Sequence, residues 1–136
     1  MAKRKPIVRM RSFGIYSKWD SKAKELPELR DVTTDVPAEI DIEFGFIINV
    51  VGGKNKELGF CIDHPGILDS QGNRRAPFDG AVYIKKNDWD FYLGDTIWSP
   101  IEDKLGPWRM YVELDGKVVA EKTFNIVRPS QLESRL

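Results

Sequence analysis

The chain has 136 residues, of which 41% are hydrophobic and 31% charged, and its 21 basic and 21 acidic side chains give a formal net charge of zero. This length and composition predict one globular domain with its own hydrophobic core. The balanced charge argues against nucleic acid or an anionic membrane surface as a partner, and no stretch approaches the ~20 apolar residues of a membrane span.

The start of the chain is basic. Residues 1–6 form a tail that leads into a first predicted strand at residues 7–16, and the phase of the apolar positions changes near Ser12, which indicates a bulge or a bend. No apolar segment follows the basic residues, so we predict no secretory signal and a cytoplasmic location. We interpret the charge as a solvated tail running into an edge strand, with a basic interaction arm as the alternative. The basic residues are Lys3, Arg4, Lys5, Arg9 and Arg11.

The middle of the chain carries the clearest strand pattern. Residues 17–38 are mostly polar and predict a long loop. Residues 39–50 then place an apolar side chain at every second position, which indicates one face on the core and one in water. Residues 57–63 repeat this alternation after a Gly-rich turn, so we predict that the two segments pair as a hairpin. Cys61, the only cysteine, excludes an intramolecular disulfide and is predicted to be a small buried hydrophobe.

The last third is rich in aromatic residues and ends in a hairpin. Residues 81–86 form a short predicted strand, and residues 87–98 form a second one, broken near Gly94. Two β-rich runs then flank Asp115 and Gly116, a strong hairpin signal. The apolar residues on both sides occupy even positions, so a three-residue bulged turn is predicted, because a two-residue turn would put them on opposite faces. The even positions of the first run are Trp108, Met110, Val112 and Leu114.

These segments predict an all-β, antiparallel, immunoglobulin-like β-sandwich of about seven strands over residues 7–127, followed by a C-terminal tail at residues 128–136. A small barrel is the alternative. The chain also resembles a small bacterial family of unknown function, DUF3859, over roughly residues 7–127. That resemblance implies an immunoglobulin-like fold and no catalytic residues. The residues that carry it are Gly14-Ile15-Tyr16, the strand at 40–46, residues 60–65, Gly106-Pro107-Trp108 and Phe124.

Three groups of residues are candidates for a site. Asp63, His64 and Asp69 form a weak candidate for a metal or acid–base site, although zinc usually takes several His or Cys ligands. Asp88 and Asp90, together with Asp95, offer oxygen ligands for a hard cation, but their spacing departs from that of a calcium loop. The remaining candidates are aromatic residues that could form an exposed platform for a sugar ring or a protein. They are Trp89, Tyr92 and Trp98.

No familiar catalytic or nucleotide-binding motif is present in the sequence. We therefore predict a non-enzymatic interaction module, without a cofactor, that meets a protein partner through loops or an edge strand. The oligomeric state stays open, and a dimer through edge strands is compatible with this prediction. A small-ligand or carbohydrate binder is the alternative, and a metal-dependent enzyme is a more distant one.

Overall fold

The structure, a computed structural model, describes residues 5–20, 22 and 24–133. The predicted basic residues Lys3 and Arg4 lie outside these residues. A 3₁₀ helix (Glu102–Lys104) and a short helix α1 (Pro129–Glu133), the latter inside the predicted C-terminal tail, accompany the strands. The strands are β1 (Ile7–Tyr16), β2 (Leu29–Asp31), β3 (Asp35–Pro37), β4 (Glu43–Val51), β5 (Glu57–Asp63), β6 (Phe78–Tyr83), β7 (Asp88–Thr96), β8 (Gly106–Leu114) and β9 (Lys117–Val127).

The described strands form two sheets that pack face to face. The first sheet has the order β2-β1-β4-β7 and the second the order β3-β9-β8-β5-β6. Every strand pair is antiparallel except β3 with β9, which is parallel. The predicted all-β sandwich is therefore confirmed. In the described part of the chain, no helix is long and apolar enough to cross a membrane.

The predicted hairpin of residues 39–50 with 57–63 is wrong. β4 lies in the first sheet and β5 in the second, so the two strands belong to opposite sides of the core and do not pair. Their inward side chains, such as Ile48 and Leu58, are fully buried. Alternation reports which face of a strand is buried, but it does not report which strand lies beside it. The strand also starts later than predicted, because Asp41 has a positive φ of 74° and Ile40 is exposed.

The predicted three-residue turn of the closing hairpin is wrong, although the even positions of β8 lie on the core face as predicted. Asp115 and Gly116 form a two-residue turn with φ of 53° and 79°, and Leu114 pairs directly with Lys117. Both positive φ values match a type I′ turn, which suits the twist of the strands. The register then shifts between Val112 and Glu113, where β9 carries one extra residue. The bulge thus lies beyond the turn, and from Ala120 onward it returns the even positions of β9 to the core face.

Four other sequence predictions can be compared with the structure. The phase change near Ser12 is confirmed by a register shift between Met10 and Ser12. The predicted loop at residues 17–38 contains the short strands β2 and β3, while β7 runs through Gly94 without a break. Cys61 is buried, as predicted, although it alternates with the core-facing Ile62 and so points away from the sandwich interior.

Aromatic contacts in the core show which strands of the two sheets face each other. The Phe44 ring on β4 lies edge-to-face on Trp108 of β8 and Phe124 of β9, with centroid distances of 5.3 and 5.6 Å. Further along the same sheet, Phe91 on β7 lies 6.1 Å from Phe60 on β5. Because β7 faces β5, the next strand of the second sheet, β6, extends beyond the edge of the first sheet.

Candidate binding surface at the open side of the sandwich

The two sides of the sandwich differ in how their edge strands are protected. On one side the edge strands β2 and β3 have three residues each, and β3 ends in Pro37. On the other side β7 has nine residues and β6 has six, and neither contains proline. Short edges and proline discourage pairing with another chain. The side that ends at β6 and β7, which we call the open side, lacks both devices.

A groove runs along the open side, where the first sheet stops one strand short of the second. We call this groove the slot. Its floor includes Phe60 and Val82 of the second sheet, and its wall is β7. The inward-facing residues of β6 are half-buried or exposed, since no described strand covers them. The slot has a volume of about 580 Å³ and is mainly apolar. Its lining residues are Trp19, Phe60, Ile62, Val82, Tyr83, Lys85, Trp89, Phe91, Tyr92, Leu93 and Gly94.

The free edge of β7 faces the slot. At one end of the strand, Ile97 directs both its N–H and its C=O toward residues 41–42 before β4, and at the other end Asn87 accepts a hydrogen bond from Gly52. Backbone groups alternate in direction along an antiparallel strand. The N–H and C=O groups of Asp90, Tyr92 and Gly94 therefore point away from β4, where an added strand could pair with them.

The three predicted aromatic residues do not share one exposed platform. Trp89 is half-buried in the slot wall and stacks on Phe91 with a centroid distance of 5.4 Å. Tyr92 has the opposite orientation on β7 and is only 3% exposed. Trp98 lies beyond the end of β7 and packs against Phe78 and Trp108, with Lys104 Nζ 4.4 Å from its ring. Only Trp89 and Tyr92 line the slot.

Tyr92 belongs to a buried polar cluster that sequence reasoning missed. Its hydroxyl donates to Oε2 of Glu43 at 2.5 Å, and the Thr96 hydroxyl donates to Oε1 of the same carboxylate at 2.5 Å. The rings of Tyr16 and Trp19 close over Tyr92 at centroid distances of 5.1 and 5.0 Å. Burial, together with the charge of Glu43, raises the pKa of Tyr92 far above its usual value. The phenol therefore stays protonated and serves as a fixed donor.

Asp95 gives this part of the fold a pH dependence. Burial, with a further contribution from Glu43, raises the pKa of Asp95 from 3.8 to about 6, although a hydrogen bond from the Thr96 N–H opposes the shift. Between pH 3.8 and about 6, the Asp95 carboxyl is therefore protonated in the folded chain and ionised in the unfolded chain. Stability contributed by this proton is present below the unfolded pKa and is lost as the pH rises through the folded pKa.

Replacing Asp95 with asparagine should therefore stabilise the protein at about pH 8 by roughly 1–2 kcal/mol, with a much smaller effect near pH 4. An asparagine oxygen can still accept the Thr96 N–H, and the buried charge is gone. Urea unfolding of both proteins across this pH range measures the difference. Asp31→Asn, at an exposed position, is the control and should show no such crossover. An equal effect of Asp95→Asn at both pH values would contradict the buried charge.

The predicted acidic pair is held in a polar network. Nδ2 of Asn49 donates to both Asp88 and Asp90, at 2.7 and 2.9 Å, and Arg11 forms an ion pair with Asp90 at 2.6 Å. These residues line a second pocket of about 530 Å³ that shares Trp89 and Lys85 with the slot. The carboxylates therefore have protein partners, and Trp89 lies on the border between an apolar and a polar surface.

The predicted metal candidates are each engaged locally. His64 is 2% exposed, and its Nδ1 accepts the Ile67 N–H at 2.9 Å while Nε2 lies 3.3 Å from the carbonyl oxygen of Ala76. Asp63 pairs with Arg74 at 3.2 Å. One oxygen of Asp69 accepts two backbone N–H groups of its own turn. Within the described residues, no group of three or more His, Cys, Asp or Glu side chains is placed to hold a metal.

Comparisons with known proteins agree with this architecture. Among solved structures, the chain is similar to an immunoglobulin-like protein from Pseudomonas aeruginosa, with a TM-score of 0.75 and 21% identity over 93% of this chain and 100% of that chain. The chain therefore has an immunoglobulin-like β-sandwich fold, as the sequence predicts. A family model described as a domain of unknown function (DUF3859) matches residues 4–126. The chain belongs to this family, which confirms the resemblance.

Two other comparisons add no functional information. An alkylpurine DNA glycosylase from Pseudomonas fluorescens, bound to DNA containing an abasic site analog, matches with a TM-score of 0.43 and 8% identity. That match covers 88% of this chain and 30% of the glycosylase, and it is too weak to carry an argument. No curated protein sequence matches the chain.

Proposed function

We propose that this chain is a non-enzymatic protein-binding module that takes an extended segment of its partner into the slot, as an added strand beside β7. The observation that carries this proposal is the unequal width of the two sheets on the open side. It leaves the free backbone edge of β7 directly above an apolar floor formed by the second sheet.

The physical chemistry of the slot fits such a segment. Backbone hydrogen bonds to Asp90, Tyr92 and Gly94 supply affinity that does not depend on the partner's sequence, while alternate side chains supply specificity. Side chains of one parity would contact Phe60 and Val82, and those of the other parity would lie beside Tyr92 and Trp19. Burying one large apolar side chain contributes about 1.5–3 kcal/mol.

The state of the other candidate residues supports a binding role over catalysis. His64 uses both ring nitrogens in backbone contacts, and Asp63 and Asp69 hold local structure. A general base needs a reachable proton and a free lone pair, and neither is offered by a 2%-exposed imidazole already engaged on both sides. The slot instead offers the shape, apolar surface and unpaired backbone that recognition of an extended segment requires.

A display selection with random linear peptides tests the proposal. We expect the wild-type protein to enrich peptides with apolar residues at alternate positions. Val82→Lys places a charge on the slot floor and should weaken their binding by about 10-fold or more, which is the loss of one buried apolar contact. Isothermal titration with one enriched peptide measures the effect.

Val118→Lys is the matched control, since it makes the same change at an exposed position of β9 and should leave the affinity unchanged. Circular dichroism must show both variants folded. Equal affinities of the wild-type and Val82→Lys proteins would contradict the slot as the binding site. If the wild-type protein selects no peptides that the Val82→Lys protein fails to select, the peptide-binding function itself would be contradicted.

A carbohydrate is a second candidate because Trp89 borders the polar pocket that contains Asn49, Asp88 and Asp90. Sugar rings stack on aromatic faces and hydrogen-bond to such polar groups. Titration with a glycan panel distinguishes the two candidates. A glycan that quenches tryptophan fluorescence in the wild-type protein but not in Trp89→Ala would favour the carbohydrate.

A further inference from the structure

The edge of β6 is a second unpaired edge, separate from the edge of β7 that the proposed function uses. Ile84, just after β6, directs its N–H toward Lys56 and accepts a hydrogen bond from the Asn55 N–H, so it faces β5. The alternation then turns the backbone groups of Asp79, Ala81 and Tyr83 away from β5. Among the described strands, β6 pairs only with β5, so these groups point outward from the sheet.

The side chains along this edge are complementary to the same edge rotated by a two-fold axis. In an antiparallel pair of two identical strands, the numbers of opposing residues have a constant sum. The register that sets Ala81 opposite Tyr83 of a second copy also sets Asp79 opposite Lys85, twice by symmetry. The neighbouring register, with Ala81 opposite Ala81, sets Asp79 opposite Tyr83 and pairs no charges.

The two side chains that this register would pair, Asp79 and Lys85, are free to form an ion pair with a second copy. Within the described part of the chain, neither Asp79 nor Lys85 forms an ion pair, and both are exposed. Opposite charges on directly opposing residues stabilise a strand pair, and like charges destabilise it. Charge complementarity therefore favours the register with Ala81 opposite Tyr83 over the neighbouring register with Ala81 opposite Ala81.

The size and exposure of Tyr83 favour the same register. It is 66% exposed, the largest value among the large hydrophobic residues of the described chain. In this register Tyr83 lies opposite Ala81 of the second copy, which has a small side chain. Within that copy, Ala81 pairs with Gly59 of β5. This row of small residues borders a cavity of about 310 Å³ on the outer face of the second sheet. The cavity is lined by Gly59, Phe60, Asp79, Gly80, Tyr111 and Glu113.

We infer that a second copy of this chain is the partner of β6. The two copies pair antiparallel through β6, Tyr83 of each lies over Ala81 and Gly59 of the other, and Asp79 of each faces Lys85 of the other. The interface is isologous, as two-fold dimers require. The second sheets then join into one sheet across the axis. β7 stays one strand behind each edge, so the two slots remain open, although Tyr83 and Lys85 border both the slot and the dimer interface.

Analytical ultracentrifugation over a concentration series tests this interface. We expect the wild-type protein to show a reversible monomer–dimer equilibrium, weak because the interface is small and its ion pairs are exposed. Asp79→Lys and Lys85→Asp each place like charges in both contacts and should each raise the dissociation constant by about 10-fold. Lys86→Asp makes the same charge change one residue away and should leave it unchanged.

The decisive sample is an equimolar mixture of the two single variants. Asp79→Lys carries lysine at both positions and Lys85→Asp carries aspartate at both, so a mixed dimer regains two opposite-charge contacts. We expect the mixture to dimerise at least as tightly as the wild-type protein. A wild-type protein that stays monomeric throughout, or a mixture that associates no better than its components, would overturn the proposed interface. Peptide binding by the Asp79→Lys protein, whose altered residue does not line the slot, reports separately on the slot.

Discussion

Replacing Trp108 with alanine should lower the free energy of unfolding by about 3–5 kcal/mol. The side chain is fully buried, and its ring lies 5.3 Å from Phe44 and 6.4 Å from both His64 and Trp98. Its Nε1 also donates to the Lys104 carbonyl oxygen at 2.8 Å. The substitution therefore removes apolar contacts from both sheets and leaves a buried carbonyl without its donor.

Urea denaturation followed by circular dichroism measures this loss. Trp89→Ala is the matched control, because the same side chain is removed from the half-buried slot wall, and it should cost clearly less. Trp108→Phe, which keeps an aromatic ring but lacks the N–H, should fall between the two. A Trp108→Ala variant no less stable than Trp89→Ala would contradict the placement of Trp108 at the centre of the core.

The burial of Trp108 was predictable because strand alternation is a local property. Trp108, Met110, Val112 and Leu114 occupy even positions, and all four are buried. Because the apolar residues of both strands occupy even positions, one extra residue near the turn was also required. It could not say that the residue lies at a bulge beyond the turn, because a bulge and a three-residue loop restore the same faces.

Strand partners were less predictable, because they depend on contacts distant in sequence. The alternation in β4 and β5 identified the core faces of Phe46 and Leu58 correctly, yet the two strands belong to different sheets. The same limit applies to the slot. It exists because one sheet is a strand wider than the other on the open side, and no single segment encodes that difference.

The buried cluster around Tyr92 was missed for a related reason. Alternation placed Glu43 on the face of β4 that points away from the core, where a carboxylate is expected in water. The segment after β1 brings Trp19 over that face, so Glu43 is only 3% exposed. Trp89 could be singled out because aspartates flank it at the start of a strand. A tyrosine whose hydroxyl is aimed at a buried acid has no such sequence signature.

Replacing Gly94 with alanine should destabilise the protein by about 3 kcal/mol. This value is at the upper end of the usual cost of overpacking, because the substitution also disturbs a buried hydrogen bond. Gly94 lies opposite Gly45. A Cβ atom at position 94 would overlap the Tyr92 hydroxyl and lie 2.5 Å from the carbonyl oxygen of Phe44. The backbone oxygen cannot retreat easily, so Tyr92 must move and Glu43 loses one of its two hydroxyl donors.

Thermal and urea unfolding of Gly94→Ala measure this cost. Gly66→Ala is the control, since a Cβ atom there would meet nothing within 4 Å, and it should be close to neutral. Tyr92→Leu removes the hydroxyl that collides but leaves the Phe44 carbonyl oxygen in place, so Gly94→Ala should cost less in that background than in the wild-type protein without becoming neutral. Equal costs in the two backgrounds would mean that Tyr92 is not what fills the space. Tyr92 and Gly94 also line the slot. The glycine that lets the phenol reach its buried acid therefore also shapes the edge where we propose that a partner strand binds.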